Sequence, residues 1–555
     1  MSNNLADYII VGAGSAGCVL ANRLSKDPSN QVILLEAGGK DTSPLVHIPG
    51  AYSLLNRSSM DWAFETVPQP HLANRNMYCP RGKVLGGSSS TNAMAYVRGN
   101  RQDYDHWASL GNVGWSFEEV LPYFKRSEGN AQADSLDLGY HNSEGELHVS
   151  YNLGHQTPLA EAFIESCDAY GITRTQDYNG ASQFGSGLFQ FTIKNGVRQS
   201  TARAFLHPVM GRSNVKVITQ AHVTKLLVEG DRVVGVSFSS SNGSTTELKA
   251  NKEVILAAGA YASPQLLLLS GIGPKEELAT LGIPCLLDLP GVGKNLQDHL
   301  MIGVSKYVKG KNGFNHGLKP LQKIKYGFQY AVNKKGILTC SPLESVAFFN
   351  LDDLSLPPNF QFQFAPIHIG PDLDAVDFYN ANSYPKGQDG ATILASMVCP
   401  ESVGELTLSS NDPFAPPCID NHFLEAEKDR ESLIKGVRMA LEVFEQKAFQ
   451  EYVNGDQRIS LRSTGDEILQ HIYDGVETIY HPVGTCKMGI DEMAVVDPEL
   501  RLYGLRGLRI ADASIMPRIT TGNTNAPTIM IAEKCADMVL GEAISSMSRQ
   551  QVNEG

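Results

Sequence analysis

The sequence predicts an α/β protein in which a Rossmann-like nucleotide-binding sheet is joined by a second domain of helices packed on a sheet. Three observations predict it. Residues 7–36, DYIIVGAGSAGCVLANRLSKDPSNQVILLE, read as strand, glycine turn, helix and strand. Residues 215–257 hold successive strand-like runs separated by turn signals, and the last run, Val254 to Ala257, lacks alternation, as a parallel strand buried on both faces would. Residues 301–477 then change character before glycine, proline and histidine punctuation returns at YHPVGTCKMG (480–489). At 555 residues the chain exceeds one ordinary core, so two domains or one heavily elaborated domain is expected.

Each glycine of the opening stretch has a physical reason. Gly12 allows the tight turn, Gly14 lets backbone approach a pyrophosphate, and Gly17 lets the helix pack close on the sheet. The phosphates fit the helix N-terminus, where unpaired N–H groups and the dipole favour negative charge. Glu36, 24 residues after Gly12, is placed to accept hydrogen bonds from ribose hydroxyls. A glycine turn of purely structural use is the competing reading, and the motif leaves open which dinucleotide binds.

Composition narrows the classes. A hydrophobic content of 42% with 19% charged residues is that of a soluble globular protein. Forty-six basic against 59 acidic residues give a net charge of −13, without a basic run to track a phosphate backbone, so nucleic acid is not an expected partner. The nine cysteines are scattered and form no CxxC pair, which argues against a disulfide framework or a structural zinc site and for a reducing cytoplasm. The first strand is reached by residue 8 and no run of 18 apolar residues occurs, so neither a cleaved signal nor a spanning helix is expected, while peripheral membrane contact stays open.

After Glu36, the segment RGKVLGGSSSTNAMAYVRG (81–99) suits backbone lying against a flat polar ligand better than a packed strand or amphipathic helix; a Ser/Gly linker is the alternative. Short helices are expected over 103–129 and near 159–170. Strands VKVIT, HVTKLLV, RVVGVSF, TTELK and EVILAAGA follow, with turns at Glu229-Gly230-Asp231 and Ser241-Asn242-Gly243, then a helix over Pro264 to Ser270. FQFQFAP (360–366), LTLS (406–409) and a helix at about 425–449 form the second domain, and a helix to about Leu540 closes the chain.

Six stretches together resemble the glucose-methanol-choline (GMC) oxidoreductases: GAGSAG at the start, GGSSSTNAM (86–94), GAYASPQLLLLSGIG (259–273), GVGKNLQDH (291–299), HPVGTCKMG (481–489) and GNTNAPTIMIAEK (522–534). Their order over nearly the whole chain carries the resemblance, which is strongest to choline-dehydrogenase-like and aliphatic alcohol dehydrogenases. It implies a discontinuous FAD-binding domain over 1–150, 196–300 and 478–555, and a substrate domain on an antiparallel sheet over 151–195 and 301–477. It further implies that Gly12, Gly14, Ser15, Ala16 and Gly17 hold the pyrophosphate and Glu36 the ribose. Gly87, Ser88, Asn92, Met94 and Ala95 would lie along the flavin, Val223 by the adenine, Asp512 and Ala513 by the diphosphate and ribityl chain, and Asn525 and Pro527 at the pyrimidine ring. Some members attach FAD through a histidine two residues after the paired serines; Thr91 stands there, so noncovalent FAD is expected.

Oxidising an alcohol needs a proton acceptor neutral near pH 7, and histidine supplies one. The resemblance assigns that base to His481, hydride acceptance to flavin N5, and substrate orientation to Asn525; helix capping is the competing reading of Asn525. Asp298 and His299 read as structural, since adjacent loop residues seldom face one another. Glu344 does not by itself show a choline site, and Phe362, Phe364 and Ile367 fit either a pocket wall or plain core. The implied activity is oxidation of a primary alcohol to the aldehyde, with electrons passed to a quinone or other carrier. An O2-using alcohol or choline oxidase, an FAD-containing lyase, a nucleotide binder without catalysis and an NAD enzyme are the alternatives. No metal is expected, and the alcohol, the acceptor and the oligomeric state are left open.

Overall fold

The computed structural model describes residues 4–151, 154–369, 383–455 and 458–541. The outer ends of the expected first domain, residues 1–3 and 542–555, lie outside the described residues. The elements that position the site begin with β1 (Leu5–Val11), α1 (Ser15–Leu24), β2 (Val32–Leu35), α2 (Pro158–Tyr170) and β3 (Gly185–Leu188). There follow β4 (Val215–Ile218), β5 (Ala221–Glu229), β6 (Arg232–Ser240), β7 (Thr245–Leu256), α3 (Gly259–Leu269), β8 (Leu300–Tyr307) and α4 (Pro320–Asn333). The last are β9 (Ser345–Phe349), β10 (Phe360–Ala365), β11 (Gly390–Met397), α5 (Glu427–Phe444), β12 (Glu477–Thr478), β13 (Leu508–Ile510) and α6 (Asn525–Leu540).

The first sheet runs β4–β2–β1–β7–β6–β5, with β13 also on β7. Its four core strands β4, β2, β1 and β7 are parallel, and β2 is buried at all four residues, as a sheet covered on both faces requires. Strand β7 does two jobs along its length. Its first half pairs antiparallel with β6, Ser237 opposite Glu247, and its second half pairs parallel with β13, Ile255 opposite Arg509. The non-alternating run Val254–Ala257 therefore does rejoin the first strand, Ile9 opposite Val254. Both expected turns, at 229–231 and 241–243, link β5 to β6 and β6 to β7.

The second sheet is antiparallel throughout, in the order β12–β8–β11–β10–β9–β3. One face packs against α2 and α5: Phe360, Phe362 and Phe364 sit in a core with Phe163, Val437 and Phe444. The opposite face carries Met301 and Leu394, which join Met94, Ala95 and Ile479 in a separate apolar cluster. The alternation of strand side chains sets this division, and it settles Phe362 and Phe364 as core rather than pocket. Their neighbour Gln363 takes the pocket side. Within the span expected for the second domain, Leu406 and Ile419 pack in the first core instead, because the 404–420 ribbon is tied to the 293–296 loop by Leu406 N–H to the Gly293 carbonyl and by Leu296–Gly404 pairing.

Candidate active site

A cavity of about 330 Å3 runs from the carboxyl ends of β1 and β2 to His481, between the two sheets. At its nucleotide end the three glycines do different work. A Cβ on Gly12, at φ +98°, would lie 2.5 Å from the Ala257 carbonyl oxygen, and one on Gly17 would lie 1.9 Å from the Gly12 carbonyl oxygen. A Cβ on Gly14 would meet nothing nearer than 3.9 Å, so that glycine keeps open the cavity it lines rather than serving packing. Gly87 presses on the same turn: its Cβ would fall 2.7 Å from the Gly14 Cα. Helix α1 starts at Ser15 with no side-chain cap and no acid in its first turn, which leaves its first N–H groups and dipole for an anion.

Glu36 lines this end, 5% exposed, its two carboxylate oxygens accepting from Ala13 N–H at 2.9 Å and Gly38 N–H at 2.8 Å. Burial pushes its pKa up to about 7, against the pull of those bonds. It therefore braces the glycine turn from the cavity wall. Val223 lines the cavity where the β5–β6 register shifts, beside Trp62 and Phe64, which stack at 5.6 Å. These two aromatics escape the sequence reading; DWAF in a proline- and glycine-punctuated segment is the only signal. Asp512 lines the wall too, but its side chain is engaged: Oδ2 accepts from Gly259 N–H at 2.9 Å and Ser263 Oγ–H at 2.6 Å, and Oδ1 from Ser514 N–H.

Ser15, Ala16, Gly87, Ser88, Asn92, Met94, Ala95, Ala513 and Asn525 all line the cavity as well. Two expected contacts do not. Gly17 is spent on packing α1 against the Gly12 carbonyl, and Pro527, buried in the first turn of α6, is not on the cavity wall.

The other end of the cavity is built around His481. Asp298 Oδ1 accepts from the backbone N–H of both His481 and His299 at 2.8 Å, and its Oδ2 accepts from Thr478 Oγ–H at 2.5 Å. Tyr480 holds φ +67°, a left-handed value costly for a tyrosine, with its N–H on Thr478 Oγ1 and its carbonyl on the Arg81 guanidinium. Asp298 and His299 thus do not face each other; each reaches across to the 478–481 loop. That pairing spans 182 residues and is invisible in sequence.

His299 Nδ1 lies 3.1 Å from His481 Nδ1, and Asn523 Nδ2 lies 3.2 Å from His481 Nε2. An amide NH2 only donates, so Nε2 of His481 carries the lone pair and Nδ1 the proton, donated to His299. Burial, then His299, then Arg81 hold His481 well below its ordinary pKa, and burial takes His299 down to about 3, against the Val398 backbone. Both rings are neutral at pH 7. The other amide atom, Asn523 Oδ1, is buried without a hydrogen-bond partner among the described residues.

This corrects the expected partner of His481. Asn525 is the first residue of α6, and its Oδ1 accepts from Ser15 Oγ–H at 2.7 Å, which ties the N-terminus of α6 to that of α1. It does not cap the helix either; Thr524 occupies that place, with no side-chain bond. Glu344 is likewise removed from the cavity: its carboxylate accepts from Thr157 N–H at 2.9 Å and Oγ–H at 2.6 Å, and burial raises it to about 7. The cavity wall on the second sheet's side is apolar instead, formed by Met301, Leu343, Leu394 and Ile479 with Gln363.

Sheet and cavity together have the build of a dinucleotide-binding protein: a glycine turn and open helix N-terminus with an aromatic pair at one end, and a neutral histidine at the other. The family description for GMC oxidoreductases matches residues 6–301 and 400–532. An alcohol dehydrogenase (acceptor) from Pseudomonas putida is 43% identical over 538 residues, 96% of this chain and 95% of that one. An oxygen-dependent choline dehydrogenase from Sinorhizobium fredii is 40% identical, covering 98% of this chain and 97% of its own. Among solved structures, pyridoxine 4-oxidase from Mesorbium loti superposes with a TM-score of 0.86 at 31% identity, over 97% of this chain and all of that one. Formate oxidase from Aspergillus oryzae reaches 0.90 at 27% identity, over 98% of this chain and 99% of its own. The chain belongs to the GMC oxidoreductase family, and its cofactor is FAD.

Proposed function

We propose that this enzyme oxidises an uncharged primary alcohol to the aldehyde and passes the electrons to a quinone or another carrier. The observation that carries this reading is the unprotonated His481 Nε2 beside Asn523 at the apolar end of the cavity. Bound FAD supplies the hydride acceptor. His481 takes the hydroxyl proton at Nε2, and the imidazolium so formed keeps its Nδ1–H on His299, a neutral acceptor. Asn523 donates to the substrate oxygen as negative charge gathers there. The open N-terminus of α6, capped by no side chain and free of acids in its first turn, favours charge developing next to it.

The choice of an uncharged alcohol rests on the wall. Glu36 and Asp512 are the carboxylates that line the cavity among the described residues, and both accept backbone N–H bonds at the nucleotide end. Asp298, though beside His481, does not line the cavity, so among the described residues a quaternary ammonium at that end would meet no carboxylate on the wall. The name of the Pseudomonas relative supports the same choice. Thr91 on the cavity wall, in place of a histidine, supports noncovalent FAD, which acid precipitation tests by leaving flavin in the supernatant. All nine cysteines are free thiols, which supports a cytoplasmic setting.

The test is anaerobic mixing of the flavin-loaded enzyme with long-chain alkanols, benzyl alcohol, choline and sugars while flavin absorbance is followed. Reduction by alkanols or benzyl alcohol is expected. Reduction by choline alone would refute the reading of the wall, and rapid peroxide formation in air would replace the carrier with O2.

A further inference from the structure

Helix α4 is amphipathic in the inverse sense. Its inward side is polar: Gln322, Tyr326 and Gln329 are half-buried, and buried Tyr330 donates its hydroxyl to the Gly196 carbonyl at 3.0 Å. Its outward side is apolar. Leu321 is 81% exposed, Ile324 71%, Phe328 71% and Val332 60%, at spacings of three and four that align them in one stripe. Apart from Val113, Leu321, Ile324 and Phe328 are the most exposed large apolar side chains among the described residues.

The charge around this stripe opposes that of the rest of the chain. Residues 309–335 contain seven lysines, at 309, 311, 319, 323, 325, 334 and 335, all exposed, and no aspartate or glutamate. The remaining sequence holds 39 basic against 59 acidic residues. An apolar stripe rimmed by cations on an otherwise acidic protein is complementary to one kind of surface, an anionic lipid bilayer, which takes the stripe among its acyl chains and the lysines at its headgroups. No helix among the described residues is long and apolar enough to cross a membrane, so the contact lies on the surface.

We infer that α4 docks this enzyme peripherally on anionic membranes, with Leu321, Ile324, Phe328 and Val332 inserted and the flanking lysines on the phosphates. The segment leads straight to the active site. The turn Ile337–Thr339 after α4 packs on the turn Pro49–Leu55, which carries Tyr52 on the cavity wall and Leu54, 55% exposed, outside it. Pro342 and Leu343 then line the cavity themselves. Docking through α4 places the reaction centre near the bilayer, where a lipid-soluble carrier or a long-chain alcohol is concentrated. The inference deepens the proposed electron transfer to a quinone, yet vesicle binding is measured apart from alcohol-driven flavin reduction, so either can fail alone.

The experiment is flotation of the flavin-loaded enzyme with vesicles of phosphatidylcholine alone or mixed equally with phosphatidylglycerol. Binding to the anionic vesicles, weakened by salt, is expected for the native chain. Ile324→Glu with Phe328→Glu should weaken binding on the order of a hundredfold, and Lys325→Glu with Lys335→Glu about tenfold or more. Both pairs should retain the melting temperature and the dye-coupled oxidation rate, since none of the four residues touches the cavity. Absence of binding by the native chain, or equal binding by the Ile324/Phe328 variant, would overturn the inference. So would a dimer that this variant dissociates, which would assign the stripe to a second copy of the chain.

Discussion

Asn523 and Asn525 lie two residues apart, yet the structure gives them separable consequences. Asn523→Ala removes a neutral hydrogen bond to His481 Nε2 and the donor expected to meet the substrate oxygen as it becomes charged. The charge-assisted bond is worth about 1.5–3 kcal/mol, so flavin reduction should slow about 10- to 150-fold. Thermal stability should change little, because the amide's other atom, Oδ1, makes no hydrogen bond that would be lost. Asn525→Ala instead cuts the 2.7 Å bond to Ser15 that joins the starts of α6 and α1. A neutral bond of about 1 kcal/mol held across the diphosphate position should raise the FAD dissociation constant about five- to tenfold. Once FAD is saturating, reduction should stay within about threefold of the native rate, in keeping with a residue that does not touch His481. Anaerobic stopped-flow absorbance gives the first quantity and flavin fluorescence titration the second. If Asn525→Ala slowed reduction more than tenfold at saturating FAD while Asn523→Ala did not, the assignment of roles would be refuted.

Four further outcomes follow from the same geometry. His481 is held well below its usual pKa, so its neutral, proton-accepting form persists as pH falls, and the reduction rate should stay flat from pH 8 to below about 6.5; a rate that halves at or above that value would contradict the burial argument. His481→Ala should cost on the order of 100- to 10,000-fold in the same assay. Glu344 is raised to about 7, so the folded state holds its proton more tightly than the unfolded chain; its stabilising effect is complete below the unfolded value and is lost as pH rises through 7. Glu344→Gln should therefore stabilise the protein at pH 8 relative to pH 5, by on the order of 1–3 kcal/mol, without changing kcat/KM; equal melting shifts at both pH values would show that the carboxylate carries no such cost. Gly17→Ala should prevent or cripple folding, since its Cβ would overlap the Gly12 carbonyl at 1.9 Å, whereas Gly14→Ala should leave the flavin-free melting temperature unchanged and lose FAD; a destabilised flavin-free Gly14→Ala would show that this glycine serves packing.

The glycine turn was legible because each of its roles is local: a positive φ, a close approach or an open cavity follows from a few residues of chain. The return of Val254–Ala257 to the first sheet was legible from its unbroken apolar run for the same reason. The substrate wall was not. Every residue of β10 is buried, so burial alone could not tell the phenylalanines at 360, 362 and 364 from Gln361 and Gln363, and only the helices on one face assign the pocket to Gln363. The support of His481 was equally hidden, because His299 acts across 182 residues and Asp298 across 180 and 183. The choice between Asn523 and Asn525 turned on where helix α6 begins: Thr524 ends the loop, so Asn523 still follows the loop toward His481 while Asn525 has already rotated onto the helix, toward Ser15.

The bond between Ser15 and Asn525 joins positions 510 residues apart, and α6 packs along α1 behind it. On a ribosome, the first turn of the cofactor cradle emerges 510 residues before its other wall. Contacts of such sequence separation form late and slowly, so flavin capture should wait for α6 rather than follow α1. Any chain that stops short of Asn525 would keep the phosphate turn but lack the wall opposite it. Flavin colour in a cell extract would then report how many chains had reached α6, and FAD, by binding the assembled cradle, would hold α1 and α6 together.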